Sequence, residues 1–389
     1  MVWCGDMVQK VFVGLSGGVD SGVSAAILKE QGYDVVRVLI KIWQPEFIEC
    51  TSREARLDAM RVAAALSIPF REIDLSEEYK REVVDSMVHD YERGITPNPD
   101  VLCNEKIKFG AFARWAFANG ADLIATGHYA RTEYASQTCV SRRVRKSDLR
   151  ISHLLRGLDP QKDQSYFLYR IQEDDLARTL FPIGAMLKSE VRKRARGFGL
   201  PVADKSDSQG LCFVGDVSMR DFLARFIKLE KGRVLDENGE VVGEHDGAAL
   251  YTIGQRHGFT SRNFTGSPGL PKFEKSDFST DFSNLGPRYV IATSIHHNTI
   301  TVSPNRRLAG VREVRLRGVH WIVEEPPMPL IAHAQSRYRE TPFPVTITQT
   351  TDGTDAAFDA PRLVSSGQSL VMYEGERVLG GGIIERKKM

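Results

Sequence analysis

The stretch from Val8 to Gly32, VQKVFVGLSGGVDSGVSAAILKEQG, decides the fold. It reads as a short apolar strand, a turn at Gly14-Leu15-Ser16-Gly17-Gly18-Val19-Asp20-Ser21, and a helix that stops at Gly32. Glycines let the backbone turn tightly and bring N–H groups against phosphate oxygens. Ser16 and Ser21 add hydroxyl donors, and the helix start adds the positive end of its dipole. The stretch is an anion cradle. It is not a Walker A loop, because no Gly-Lys-Ser/Thr ending is present, and it lacks the spacing of a GxGxxG dinucleotide fingerprint. A glycine-rich turn capped by Asp20 or Ser21 is the plain structural alternative, and the strand-loop-helix setting argues against it.

Working outward, strand-like and helix-like runs alternate through the first third. DVVRVLI comes after the helix, then a helical stretch near Ser52 to Ser67, then PFREID, helices around Glu77 to Arg93 and Glu105 to Asn119, and ADLIATG. Such βαβα alternation implies an α/β fold with a parallel sheet covered on both faces and ligands at the carboxyl ends of its strands. After about residue 220 the texture changes to short β-branched runs between Gly, Pro and Asn turns: GRVLDENGEVVG, RYVIATSIHHNTITVSP and PFPVTITQTTDG. Ser261 to Pro287, rich in Ser, Gly, Asn and Pro, reads as a long loop or linker. Three regions are therefore expected: 1–218, a small central domain at 219–288, and a β-rich domain at 289–389.

Composition fits a soluble globular protein of two or three domains: 389 residues, 42% hydrophobic, 26% charged and 9% aromatic, with a formal net charge of +2. No apolar run is long enough to span a bilayer, and the first ten residues carry no secretory or import pattern, so a cytoplasmic protein without membrane association is expected. The five cysteines, Cys4, Cys50, Cys103, Cys139 and Cys212, form no CxxC pair and no zinc spacing. They read as thiols in a reducing compartment, and no side-chain metal site is legible. Two basic clusters stand out, one from Arg142 to Arg150 and one at Lys188, Arg192, Lys193, Arg194 and Arg196. A solvated face and a phosphate contact explain each cluster equally well.

Several further motifs occur in one order along the chain. They are Thr96-Pro97-Asn98-Pro99-Asp100-Val101-Leu102-Cys103-Asn104 with Lys106, Ile107, Lys108 and Phe109; Ala125-Thr126-Gly127-His128-Tyr129; Lys162-Asp163-Gln164-Ser165-Tyr166; Ser208-Gln209-Gly210-Leu211-Cys212-Phe213; and Tyr251-Thr252-Ile253-Gly254-Gln255-Arg256. The SGGVDS loop resembles that of the ATP-pyrophosphatase (PP-loop) superfamily, which cleaves ATP between the α and β phosphates. Together the motifs resemble the tRNA-specific 2-thiouridylase family, and the likeness runs on to Gly380-Gly381-Gly382-Ile383-Ile384. One departure is Gly22, where the superfamily often has a second Ser; the resemblance leaves a weakened phosphate or helix-start contact open at this position.

The resemblance implies an N-terminal adenylating domain, a small central domain and a C-terminal β-barrel. It also implies an activity: adenylation of the C2 oxygen of a wobble uridine, then sulfur transfer to give 2-thiouridine, AMP and pyrophosphate. Chemistry supplies an independent reason, since the oxygen at C2 leaves readily only once it is tied to AMP, after which a sulfur nucleophile attacks the carbon. By resemblance Cys212 carries the persulfide and Cys103 is its partner thiol, with a disulfide between them as one possible resting or resolving state. Without the resemblance, either cysteine is as well read as a small core residue. Asp100 is the expected general acid/base, with Asn98 and Pro99 shaping the wall that receives the flipped base. Residues 14–21 with Ile40 and Gly127 are expected to hold ATP. His128, Lys162, Asp163, Gln164, Arg337, Tyr338 and Gln368 are expected to meet the RNA, the Arg337-Tyr338-Arg339 run offering a stacking ring between two guanidiniums. The bland readings are a helix cap for Asp100, a satisfied histidine for His128, a polar turn for 162–164 and an exposed strand for 337–339.

Magnesium is expected to accompany ATP and neutralise the departing pyrophosphate. The implied partners are tRNAs for lysine, glutamate and glutamine, and a cysteine desulfurase or sulfur carrier. Two rivals stand beside this reading. An ATP-dependent amidating ligase acting on a small molecule would share SGGVDS but need neither cysteine. An RNA-binding protein on an inactive scaffold would turn over no ATP.

Overall fold

The computed structural model describes residues 8–15, 17–47, 52–134, 151–206, 217–260 and 287–387. Ser16, Cys4, Cys50, Cys139, Cys212 with its 208–213 motif, the Arg142–Arg150 cluster and nearly all of the 261–287 segment lie outside them. Strand β1 (Lys10–Leu15) is followed by helix α1 (Val19–Glu30), β2 (Asp34–Lys41), α2 (Ser52–Ala65) and β3 (Phe70–Asp74). Two longer helical stretches, α3 (residues 76–92) and α4 (residues 99–118), lead to β4 (Leu123–Ala125). The hairpin β5 (Ala130–Tyr134) and β6 (Ile151–Arg156) comes next, then β7 (Thr179–Leu180) and α5 (Lys188–Gly197).

Strands β3-β2-β1-β4-β7 form one parallel sheet in that order. Central β1 is apolar without alternation because both its faces are covered. Phe12 packs toward α3 and α4, Val11 and Val13 toward α1, α2 and α5, and all three are fully buried. The order reverses direction at β1 and β4, so the crevice at their carboxyl ends is where a ligand belongs.

The second half holds two further sheets. Strands β8 (Gly232–Leu235), β9 (Val241–His245), β10 (Tyr289–Ser294) and β11 (Thr299–Ser303) assemble as β10-β11-β8-β9. The division expected at residue 288 therefore falls inside the central domain: β10 and β11 share the β-branched texture of the later strands, but β11 pairs with β8. Strands β12 (Val311–Trp321), β13 (Leu330–Gln335), β14 (Phe343–Thr350), β15 (Gly353–Arg362), β16 (Ser369–Glu374) and β17 (Arg377–Glu385) close into a six-stranded barrel through the β12–β17 pairing. The β5–β6 hairpin joins the barrel edge, with β6 antiparallel to β17. No helix among the described residues is long and apolar enough to cross a membrane.

Gly22 looks away from the phosphate loop. A methyl group built on it would lie 3.4 Å from Leu200, 3.5 Å from Val62 and 3.8 Å from Val202, all ordinary contacts. A serine there would point its Cβ at apolar side chains. Gly22→Ala is expected to stabilise the protein by about 0.5–1 kcal/mol, because glycine inside a helix carries excess unfolded-state freedom. Its urea midpoint should rise while nucleotide affinity stays unchanged.

Candidate active site

Among the described residues the glycine-rich turn leads from β1 straight into α1. Gly17 has φ +75°, and a side chain on it would meet the Ala55 carbonyl oxygen at 2.9 Å, so glycine is required there twice over. Gly18 is the cap of α1, and Ser21 donates from its hydroxyl back to the Gly18 carbonyl at 3.2 Å. Asp20 in the first turn accepts from the Tyr129 hydroxyl at 2.9 Å and from Lys188 Nζ at 2.7 and 2.9 Å. Lys188 thus leaves the basic cluster of its sequence neighbours and faces the loop from the first residue of α5. The cluster's other cations include several tied to their own chain: Arg192 donates to the Ala203 and Lys205 carbonyls, Arg194 pairs with Glu30 and Arg196 with Asp204.

Three elements form the floor and wall beside the loop. A methyl group on Gly14 would lie 2.9 Å from the Phe112 ring of α4 and 3.3 Å from Ile40 at the end of β2. One on Gly127 would lie 2.7 Å from Ser21 N and 2.9 Å from the Asp20 carbonyl carbon. The missing side chain of Gly127 therefore admits the start of α1 itself, a reason beyond the room for ATP that the sequence suggests.

Helix α4 carries the second half of the site. Asn98 Oδ1 accepts from Val101 N at 3.4 Å and Pro99 fills the first turn, where a missing N–H costs nothing. Cys103 is buried at the start of a wider stretch, Cys103–Phe112, bonded in the i to i+5 pattern that often marks functional positions. Asp100 sits one turn earlier, and burial pushes its carboxyl up from the ordinary 3.8 while the Lys108 ammonium opposes that rise. A carboxylate held this way loses its charge as pH falls through the raised value, which matters for the rate if Asp100 is the expected base. The acid limb of kcat/KM is therefore expected above the ordinary aspartate range, and a pH–rate profile measures it.

His128 is buried and held far below its usual range by desolvation and by Lys108, so its ring is neutral at physiological pH. Lys108 Nζ lies 3.3 Å from Nε2 and Thr126 Oγ1 lies 2.8 Å from Nδ1. An ammonium can only donate, so Nε2 is the acceptor and the ring proton sits on Nδ1, facing Thr126. Lys108 belongs to a sequence motif that gives it no role; its setting appears only when His128, twenty positions on, folds against it.

The barrel and the central domain grip the loop that precedes α4. Gln368 Nε2 donates to the carbonyls of Thr96 and Pro97, both at 2.9 Å, and Thr96 N donates to Ser366 O at 3.0 Å. Thr96 and Thr252 hydroxyls lie 3.1 Å apart. The Tyr338 ring packs on Phe167 at 4.7 Å, and the Phe167 carbonyl accepts from Asn104, next to Cys103. Gln164 exchanges two bonds with Tyr129, its Oε1 accepting at 3.1 Å and its backbone N–H donating at 2.9 Å. Asp163 is buried and accepts from Arg156, Gly157 N and Ser165 N at 2.8, 2.9 and 3.1 Å, so its carboxylate shapes the 157–165 loop from inside. Asp163→Ala is expected to destabilise the fold by about 3 kcal/mol, the scale for breaking a buried pair, and a denaturant titration reads it.

Gln368 thus holds the backbone just before Asn98-Pro99-Asp100, Tyr338 reaches the residue next to Cys103 through Phe167, and Gln164 holds the residue next to His128. Arg337 is bonded to the Leu363 carbonyl at 3.2 Å and lines, with Arg306, Thr252, Gly254 and Gln255, a cleft of about 240 Å³. Lys162 caps the 159–162 turn on the Asp159 carbonyl. Among the described residues no group of three His, Cys, Asp or Glu side chains could hold a metal ion.

Family models match in succession: a tRNA methyl transferase HUP domain over residues 9–216, a tRNA methyl transferase PRC-barrel domain over 220–304, and an aminomethyltransferase beta-barrel domain over 311–384. The chain is 40% identical over 385 residues to tRNA-specific 2-thiouridylase MnmA of Enterococcus faecalis, covering 97% of this chain and 95% of that one. It is also 40% identical over 397 residues to tRNA-specific 2-thiouridylase MnmA of Methylibium petroleiphilum, covering 97% and 98%. Among solved structures, the U34-tRNA thiolase NcsA from Methanococcus maripaludis aligns over 56% of this chain and 63% of its own at 17% identity and a TM-score of 0.33.

Proposed function

Because this chain belongs to the tRNA-specific 2-thiouridylase family, along whose members it aligns over 97% of its length, we propose that its two half-sites run one reaction on one uridine. The phosphate loop binds ATP, the uracil C2 oxygen attacks the α-phosphorus, and pyrophosphate leaves. Asp100 takes the N3 proton as the oxygen becomes nucleophilic. The terminal sulfur of a Cys212 persulfide then attacks C2 and AMP departs. The Cys103 thiolate attacks Cys212 Sγ and breaks the S–S bond, so that the transferred sulfur stays on C2 as the thiocarbonyl and N3 regains its proton from Asp100. The Cys103–Cys212 disulfide left behind is reduced by an external thiol. The observation that carries this reading is α4 itself: one helix presents Asp100 and Cys103 at its start and lays Phe112 against Gly14 of the phosphate loop. A base-handling group and a thiol then share one rigid element with the nucleotide floor.

Magnesium bound with ATP would neutralise the charge of its phosphates. Asp20, already bonded to Lys188 and Tyr129, is the carboxylate of the loop that would hold it, with phosphate and water supplying the remaining ligands. The tRNAs served are those for lysine, glutamate and glutamine, with the sulfur supplied by a cysteine desulfurase or a carrier.

The test is thiolation of a transcribed tRNA bearing a wobble uridine, with ATP and a persulfide source, read by nucleoside mass spectrometry. Wild type makes 2-thiouridine. Cys212→Ala makes none while still releasing AMP. If wild type turns ATP into AMP and never forms thiouridine, or Cys212→Ala keeps full activity, the amidating-ligase alternative replaces this reading.

A further inference from the structure

Lys108 stands out among the cations around the site. Lys188 is matched by Asp20, Arg156 by Asp163, and Arg170 and Lys106 both by Glu105. Among the described residues Lys108 has no carboxylate within ion-pair distance, and its one hydrogen bond is to the neutral ring of His128. The carboxylate it acts on electrostatically is Asp100, with which it makes no ion pair, so the half-buried ammonium stays open to a further anion.

Its place says what that is. Along α4 the order is Asp100, Cys103, Lys108, Phe112, from the end that handles the base to the end that touches Gly14 of the phosphate loop. From the other side, His128 is next to Gly127, whose backbone is packed on Asp20 and Ser21 at the start of α1. Lys108 therefore lies between the phosphate loop and Asp100, and in a uracil joined to AMP the group at that point is the α-phosphate.

We propose that Lys108 is a catalytic residue of the adenylation step, its ammonium meeting the α-phosphate of ATP and of the uridine adenylate. The inference rests on the adenylation reading given above. In that step the uracil O2 forms a bond to the α-phosphorus and the N3 proton passes to Asp100. The bond from the α-phosphorus to the bridging oxygen breaks, and its electron pair leaves on pyrophosphate. Lys108 keeps its proton throughout and offsets the negative charge that gathers on the non-bridging oxygens. The phosphate loop, which lacks the lysine of a Walker A motif, receives its α-phosphate cation from α4 instead.

Two measurements separate this inference from its premise. Titration of AMP and of adenosine, which differ by the α-phosphate alone, needs no tRNA. Lys108→Met is expected to weaken AMP at least tenfold and leave adenosine within twofold; an equal effect on both ligands overturns the proposal. Single-turnover pyrophosphate release with saturating wobble-uridine tRNA is expected to slow 100- to 1,000-fold in Lys108→Met. Lys108→Arg should recover at least tenfold of that loss, with tRNA affinity within threefold of wild type in both variants. A Lys108→Met rate within threefold of wild type overturns the proposal. So does an equally slow Lys108→Arg, or a rate that falls only in step with tRNA affinity and melting temperature. Failure of the wild-type enzyme to release pyrophosphate with tRNA would sink the adenylation reading, and the AMP and adenosine titrations would still decide whether Lys108 reads an α-phosphate.

Discussion

A Gly127→Ala enzyme is expected to fold yet bind ATP at least 100-fold more weakly than wild type. The added methyl would lie 2.7 Å from Ser21 N, 2.9 Å from the Asp20 carbonyl carbon and 3.0 Å from Ser21 Cα. All three are backbone atoms, so no rotamer change relieves the contact and the first turn of α1 has to move. Overpacking of this kind costs about 1–3 kcal/mol, which a protein of this size survives. Function is more exposed than stability here, because the displaced atoms are the N–H donors proposed to meet phosphate and the carboxylate that Lys188 and Tyr129 hold. Calorimetric titration with a non-hydrolysable ATP analogue reads the loss. Gly22→Ala on the same helix, facing Leu200 and Val62, is the control that should bind normally. Equal affinity in Gly127→Ala and wild type would mean that the phosphates are held elsewhere.

The second large effect belongs to Gln368. Family resemblance makes it an RNA contact, whereas the structure gives its amide two bonds, to the carbonyls of Thr96 and Pro97. Those carbonyls sit just before Asn98-Pro99-Asp100, the wall expected to receive the base. Truncation to alanine frees that wall, and misplacement by about 1 Å at a reacting centre costs on the order of 100-fold in rate. Gln368→Ala is therefore expected to lower kcat for thiolation by 10- to 100-fold while the Kd for tRNA changes by less than threefold. The direct-contact role makes the opposite prediction, a weakened Kd with kcat preserved. Filter binding and single-turnover thiolation on the same preparation decide between them. Thr252, which meets the Thr96 hydroxyl from the central domain, should couple to Gln368 in a double-mutant cycle.

The parts of this site that are local in the chain are legible in its sequence. The loop at 14–21 can be read because strand, glycines and helix start are consecutive, and Asn98-Pro99-Asp100 can be read as a helix entry for the same reason. Non-local features escape such reading. A domain division at 288 looks natural because β10 and β11 resemble barrel strands, and only the pairing of β11 with β8 joins them to the central sheet. Lys188 groups with four neighbouring cations in sequence, although its partner Asp20 lies 168 positions away. Asp163 reads as a polar RNA contact, yet its acceptors are consumed by Arg156 and two backbone N–H groups of its own loop. Lys108 belongs to the motif that follows Cys103, which by itself gives it no role, and its significance depends on His128 folding against it from twenty positions away. That cannot be seen before the chain folds.

The hairpin of β5 and β6 imposes a schedule on biosynthesis. Arg377 of β17 bonds His153 of β6 across 224 positions. At about 5–20 residues per second, the ribosome delivers that partner roughly ten to forty-five seconds after the hairpin has emerged. Through that interval the edge of β6 is unpaired, a template for intermolecular association. The charges along the hairpin, Arg131, Glu133 and Arg156 among them, are the kind that discourage such pairing. Nascent chains stalled before β17 should be the species that chaperones hold longest, and a gene cut after the first domain should yield a fragment prone to self-association rather than a smaller adenylating enzyme.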